Sequence, residues 1–259
     1  MTTGFIAVIP ARYGSTRLPG KPLKEIAGKP MIEWVYRQTV QSGASEVIVA
    51  TDDERIVAAC REFGAPVELT STEHASGTDR IAELARRLAW ADEQIVVNVQ
   101  GDEPLISPLC IAQAARLLEW HPQAAIATLT APLGSEAEFK DPDFVKVVSD
   151  RDGWALYFSR APIPWHRDAF ARSKEQLPPE AAFLRHIGLY AYRAGFLKRY
   201  ASLPPSPAEQ AESLEQLRIL ENGVRFKVVV TQYDYLGLSV DTAEDLEQVR
   251  AIIADREEK

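Results

Sequence analysis

Apolar and polar positions follow two different rhythms along this chain, and the change falls near residue 132. Phe5-Ile-Ala-Val-Ile9 is an unbroken apolar run rich in β-branched residues, the pattern of a strand buried on both faces of a parallel sheet. Glu46–Thr51, Val67–Leu69, Gln94–Gln100 and Ala125–Thr130 read as further strands. Segments of helical period lie between them. Met31–Ser42 carries Ile32, Val35 and Thr39 near one face, and Asp52 or Asp53 caps a helix running towards Phe63. Gly77–Leu88 aligns Ile81, Leu84, Ala85 and Leu88, and Pro108–Trp120 is helical again. Strand, helix, strand at this spacing predicts βαβ units: a doubly wound, mostly parallel α/β sheet with helices on both faces.

After residue 132 strands come with fewer helices between them: Val145–Ser149, Ala155–Phe158 and Gly188–Tyr192. Trp165–Ala182 is polar and charged and reads as an exposed loop or a partner-contacting excursion. Pro204-Pro-Ser-Pro207 is a hard break, Glu209–Asn222 a helix ended by Gly223, Phe226–Val230 a strand and Thr242–Asp255 a final amphipathic helix. The expectation is one α/β domain over 1–259. Its core is 1–132 with 201–259, and 133–200 forms a smaller mixed sheet and loop subdomain.

Charge narrows the function. The 259 residues carry a formal net charge of −8, which argues against a binder of nucleic acid or anionic membrane. No stretch approaches the ~18 apolar residues of a membrane helix, and no signal peptide is visible, so the cytoplasm is the expected location. Cys60 and Cys110 have neither CxxC nor metal-type spacing and sit in apolar helical patterns, as reduced core residues do.

Positive charge is concentrated at one place. Pro10-Ala-Arg-Tyr-Gly-Ser-Thr-Arg-Leu-Pro-Gly-Lys-Pro22 follows the first strand, where open α/β sheets bind ligands. Gly14 and Gly20 let backbone approach a ligand; Arg12, Arg17 and Lys21 supply cations; Ser15 and Thr16 supply hydroxyls. That combination suits a polyphosphate. The loop is not a Walker A sequence, because five residues separate the glycines and Pro22 follows the Lys, and it is not GxGxxG. Asp102, past the end of the fourth strand beyond Gly101, is a natural Mg²⁺ ligand. Asp241 reads equally as a second ligand or as an ordinary helix cap with Glu244 at N3, and Glu103 is an alternative ligand or a turn former. Arg80, in the first turn of its helix against the dipole, reads as ligand-facing.

The loop resembles the signature of the sugar nucleotidyltransferases, and in its wording the cytidylyltransferases acting on 3-deoxy-D-manno-octulosonate (Kdo). Ala50-Thr-Asp-Asp53, Ser76-Gly-Thr-Asp-Arg80, Asn98-Val-Gln-Gly-Asp-Glu-Pro104, Arg185-His-Ile-Gly-Leu-Tyr190 and Glu212-Ser-Leu-Glu-Gln-Leu-Arg218 match in the same order over nearly the whole chain. The resemblance implies a Rossmann-like fold of the nucleotide-diphospho-sugar transferase type. It implies that CTP and Kdo are joined to CMP-Kdo and pyrophosphate for lipopolysaccharide synthesis, with Mg²⁺ on Asp102 and Asp241. It places the nucleotide on Pro10, Ala11, Arg12, Ser15, Arg17, Lys21, Arg80 and Gln100, with Lys21, Arg12 and Asp102 nearest the chemistry. It places the acid sugar on Arg160, His186, Tyr190, Glu215 and Gln216, and it implies a homodimer with its interface within 133–200. Ser239 and Ala243 stand where the family commonly has Gly and Pro.

Overall fold

The structure, a computed structural model, describes residues 4–14, 17–172, 177–178 and 181–257. Strands β1 (Ile6–Ala11), β4 (Glu46–Thr51), β5 (Val67–Leu69) and β6 (Ile95–Asn98) alternate with helices α1 (Met31–Val40), α2 (Glu54–Glu62), α3 (Gly77–Arg87) and α4 (Pro108–Trp120). A small hairpin of β2 (Glu25–Ile26) and β3 (Lys29–Pro30) precedes α1. There follow β7 (Ile126–Pro132), α5 (Glu136–Lys140), β8 (Lys146–Ser149), β9 (Ala155–Ser159), α6 (Arg167–Arg172) and β10 (Leu184–Arg193). The chain ends with α7 (Ala194–Tyr200), α8 (Pro207–Glu212), α9 (Glu215–Glu221), β11 (Phe226–Val230) and α10 (Ala243–Glu257).

The period-2 pattern of β1 explains the layers. Ala7 and Ile9 point into one apolar cluster, with Ile32 of α1, Ile56 of α2 and Ile111 of α4. Ile6 and Val8 point into the opposite cluster, with Ile81 of α3, Phe196 of α7 and Leu217 of α9. Both faces are therefore covered, as an unbroken apolar strand requires. The order is β11–β7–β10–β6–β1–β4–β5, with β8 and β9 attached through β10. β1 is parallel to β4 and β6, β4 to β5, and β7 to β11.

β10 runs antiparallel between β6 and β7. It lies inside 133–200 in sequence yet within the main sheet. The reversal matters for function. It brings the beginning of β10, with Arg185 and His186, to the edge where β1 and β6 end.

Two expectations need correction. Trp165–Ala182 is not simply an exposed loop: it contains α6, whose Phe170 is 3 % exposed and packs on Phe139 and Phe183. Glu209–Asn222 is not one helix. Ser213 adopts the left-handed conformation (φ 51°) and Leu214 an extended one, which separates α8 from α9 and buries Leu214. Cys60 and Cys110 are buried thiols, and burial pushes Cys60 up to about 12.

Candidate active site

Two adjoining cavities open beside the strand ends, of about 320 and 260 Å³. Gly77, Gln100 and Glu215 line both.

The first is built around the loop after β1. Gly20, at φ 67°, turns the chain into a single 3-10 turn, Lys21–Leu23, where Pro22 sits at a position that needs no donor. The turn is closed by Leu23 N–H to the Gly20 carbonyl at 2.9 Å, and Tyr13 packs beneath Gly20. Pro10, Ala11, Arg12, Arg17, Lys21, Arg80, Gln100, Asp102 and Asp241 all line this cavity; Ser15 lies outside the described residues. Among the described residues Arg12 makes no ion pair, which leaves its guanidinium for a ligand.

Lys21 Nζ stands between the two carboxylates, 2.8 Å from Asp102 Oδ2 and 3.1 Å from Asp241 Oδ1. Arg17 approaches the other oxygen of Asp241 at 3.1 Å. Two loops are joined to achieve this, since Val240 N–H donates to the Asp102 carbonyl at 2.8 Å. An apolar cluster of Leu18, Ile26, Met31, Val240, Leu246, Val249 and Ile253 packs α10 against the phosphate loop and α1.

The structure separates the two readings of Asp241. Asp245 Oδ2 accepts from the backbone N–H of Asp241 (2.9 Å) and Thr242 (2.8 Å), and Thr242 Oγ1 accepts from Asp245 N–H. Thr242 and Asp245 thus form the cap of α10, and the Asp241 carboxylate faces Lys21 and Arg17 instead. Glu103, by contrast, lines neither cavity; its carboxyl meets the Tyr235 hydroxyl at 3.4 Å, and burial, with the charge of Asp102, pushes it up to about 8.

The donor set fits Mg²⁺. Two carboxylates converge on one cationic head in a cavity lined by Arg12, Arg17 and Lys21, which suit a polyphosphate, and Mg²⁺ takes one or two carboxylates together with phosphate oxygens and waters. Among the described residues no group of three or more His, Cys, Asp or Glu could form a closed cage.

Arg80 lines the first cavity from a buried position. It is 3 % exposed, its guanidinium bonded to Asp52 at 2.7 Å, to the Thr70 hydroxyl and to the Ser71 carbonyl. These bonds hold it in the cavity wall. Gln100 donates one amide N–H to the Gly188 carbonyl at 3.0 Å and lines both cavities.

The second cavity is lined by His186, Tyr190, Glu215 and Gln216, together with Asn98, Thr78, Tyr192 and Ser213. β10 is irregular between Ile187 and Tyr190. Thr128 of β7 braces that irregularity, its hydroxyl 2.9 Å from His186 Nε2 and within 3.1 Å of the Ile187 and Leu189 carbonyls. Burial pushes His186 down to about 3, so it is a neutral hydrogen-bonding group at physiological pH. Gln216 is 5 % exposed, not part of a solvated helix face. Glu215 accepts from the Tyr200 hydroxyl at 3.1 Å, and desolvation raises its pKa. The break at Ser213–Leu214 is what turns Glu215 and Gln216 towards the cavity.

Arg160 is not brought to either cavity. Its Nε donates to the Glu212 carbonyl at 2.7 Å and its Nη1 to the Pro142 carbonyl at 2.9 Å, which ties β9 to the end of α8. Sequence reasoning missed His74, which lines the first cavity and is held by Glu83 at 2.6 Å, and Thr128, whose role depends on a strand distant in sequence.

A family model described as cytidylyltransferase matches residues 6–226. The chain belongs to the cytidylyltransferase family. As a cytidylyltransferase it is a nucleotidyl-transferring enzyme, and its curated relatives are specific. It is 56 % identical over 253 residues to the 3-deoxy-manno-octulosonate cytidylyltransferase of Pseudomonas syringae pv. tomato (strain ATCC BAA-871 / DC3000), covering 98 % of this chain and 99 % of that one. It is 54 % identical to that of Halorhodospira halophila (strain DSM 244 / SL1), covering 96 % of each. A solved structure of CMP:2-keto-3-deoxy-manno-octonic acid synthetase complexed with CTP superposes with a TM-score of 0.89 at 44 % identity, over 98 % of this chain and 100 % of the other.

Proposed function

We propose that this cytidylyltransferase joins CTP to Kdo, releasing pyrophosphate and CMP-Kdo, with Mg²⁺ held by Asp102 and Asp241. The observation that carries this is the junction of the two cavities at Gly77, Gln100 and Glu215: one is lined by Arg12, Arg17 and Lys21, the other by neutral and carboxyl hydrogen-bonding groups. A triphosphate matches the first, and the hydroxyls of a sugar match the second. The anomeric hydroxyl oxygen attacks the α-phosphorus, the bond from that phosphorus to the pyrophosphate oxygen breaks, and the hydroxyl proton passes to solvent. Arg12, Arg17 and Lys21 stabilise charge on the phosphates. The metal, when bound, polarises phosphate oxygen and favours ionisation of the attacking hydroxyl. His186, Tyr190, Glu215 and Gln216 orient the sugar, so the protein contributes mainly position and electrostatics.

The product serves lipopolysaccharide synthesis in the cytoplasm, and the enzyme acts as a homodimer. Exposed Leu156 and Tyr157 on β9, with Trp165 beyond it, support an interface within 133–200. Pyrophosphate release from CTP is the test, with Kdo, its 8-amino analogue and a sialic acid as competing acceptors. Kdo should give the highest kcat/KM; preference for either rival would displace the reading. Asp102→Asn should abolish Mg²⁺-dependent turnover, and an unchanged Mg²⁺ requirement would remove the ligand assignment.

A further inference from the structure

Lys21 makes two ion pairs that a phosphate-binding lysine does not need. Its ammonium touches both carboxylates, 2.8 Å from Asp102 and 3.1 Å from Asp241, and its side chain is only 14 % exposed. Arg17 takes the remaining side of Asp241 at 3.1 Å. The two cations therefore neutralise the two carboxylates.

We propose that Lys21 holds, in the nucleotide-free enzyme, the place between Asp102 and Asp241 that the divalent cation takes, so that metal enters with the triphosphate and not before it. The inference rests on the reading of those two residues as the metal ligands. A neutral cluster exerts little pull on a dication, and Mg²⁺ sheds its water reluctantly. To bind alone it must displace the ammonium and leave it beside a double positive charge. An incoming triphosphate changes both terms. Its oxygens offer Lys21 and Arg17 new partners, and the carboxylates are released together as negative charge arrives next to them. Metal and nucleotide then favour each other, and the coupling is reciprocal.

The backbone keeps the exchange local. The Lys21 turn is closed by its own hydrogen bonds, and the two carboxylate loops are joined at Val240 and Asp102. Only the lysine and arginine side chains need to swing. Without Lys21 the carboxylates stay close together with one cation fewer between them, so the metal should bind the free enzyme better, although the enzyme works worse.

The test measures metal binding without turnover. Mn²⁺, which accepts the same oxygen ligands, is titrated into nucleotide-free enzyme and the unbound ion counted by electron paramagnetic resonance. Lys21→Gln should bind Mn²⁺ roughly tenfold more tightly than the unsubstituted enzyme, the effect expected for losing about two part-exposed ion pairs. Lys21→Met, which keeps the apolar stem, should do the same, and Mn²⁺ should raise the unfolding temperature of either variant more than that of the parent. Equal or weaker Mn²⁺ binding in both folded variants overturns the inference. Adding Asp102→Asn and Asp241→Asn to Lys21→Gln should remove the gained binding. If it persists, the ligand assignment itself fails and the inference falls with it, an outcome distinct from the first.

Discussion

Gly101→Ala tests whether close backbone approach is what positions Asp102. Gly101 does not adopt a positive φ, so an alanine backbone is not strained there. The difficulty is space. A Cβ at this position would lie 2.6 Å from the Pro10 carbonyl oxygen, about 0.8 Å short of the 3.4 Å at which contact becomes ordinary. The obstacle is backbone of β1, in the sheet centre, and cannot swing aside as a side chain would. The loop carrying Gln100 and Asp102 must therefore move away from the phosphate loop by several tenths of an ångström. Overpacking of this kind costs about 1–3 kcal/mol, or roughly 2–10 °C in unfolding temperature for a domain of this size. Displacement of a catalytic group on this scale lowers turnover by about ten- to a hundredfold. Steady-state pyrophosphate release with CTP and Kdo, beside a thermal melt, reads both. The expected result is a fall in kcat larger than any rise in the KM for CTP, because Arg12, Arg17 and Lys21 stay on their own loop. Near-normal kcat with an unchanged melt would refute the reasoning.

Lys21→Ala should lower kcat by ~10²-fold or more through loss of phosphate charge stabilisation; near-normal turnover would remove it from the chemistry. Asp245→Ala leaves the N–H groups of Asp241 and Thr242 without their acceptor, so it should cost about 1–2 kcal/mol and raise the Mg²⁺ concentration needed for half-maximal rate; a melt and Mg²⁺ titration like the parent's would show that the cap does not seat Asp241. His186 is held near 3 in the folded enzyme against 6.5 unfolded. Between those values the unfolded chain binds a proton that the folded one refuses. Stability from this group is thus complete above about pH 6.5 and is lost as pH falls towards 3, by up to about 1.4 kcal/mol per pH unit. Urea unfolding from pH 7 to 4 should show a shallower decline in His186→Asn than in the parent, and parallel declines would contradict the assignment.

Much of the framework was legible because it is written locally. The buried strands, the helix faces of α1, α3 and α4, and the concentration of Gly, Arg and Lys after β1 each follow from residues within one short segment. Asp53 as the cap of α2 and Gly223 after α9 belong to the same class, since turn and cap chemistry acts over three or four residues. The break between α8 and α9 leaves no local mark, because Ser213 and Leu214 carry no Gly or Pro signal. Burial of Leu214 in the apolar layer outweighs the local preference for a continuous helix.

What the sequence by itself determined is therefore the set of elements, the polyphosphate-type loop, and the carboxylates and polar residues available to a site. Tertiary structure decided which of them act together. Asp241 follows Lys21 by 220 positions, and only the packing of α10 on the phosphate loop brings their charges to 3.1 Å. Arg160 donates to carbonyls of two other segments and lines neither cavity. The reversal of β10 between two strands of opposite direction sets His186 beside Thr128. Periodicity records which face of an element is buried, but not what lies against it, because pairing across the fold depends on the summed packing of distant segments.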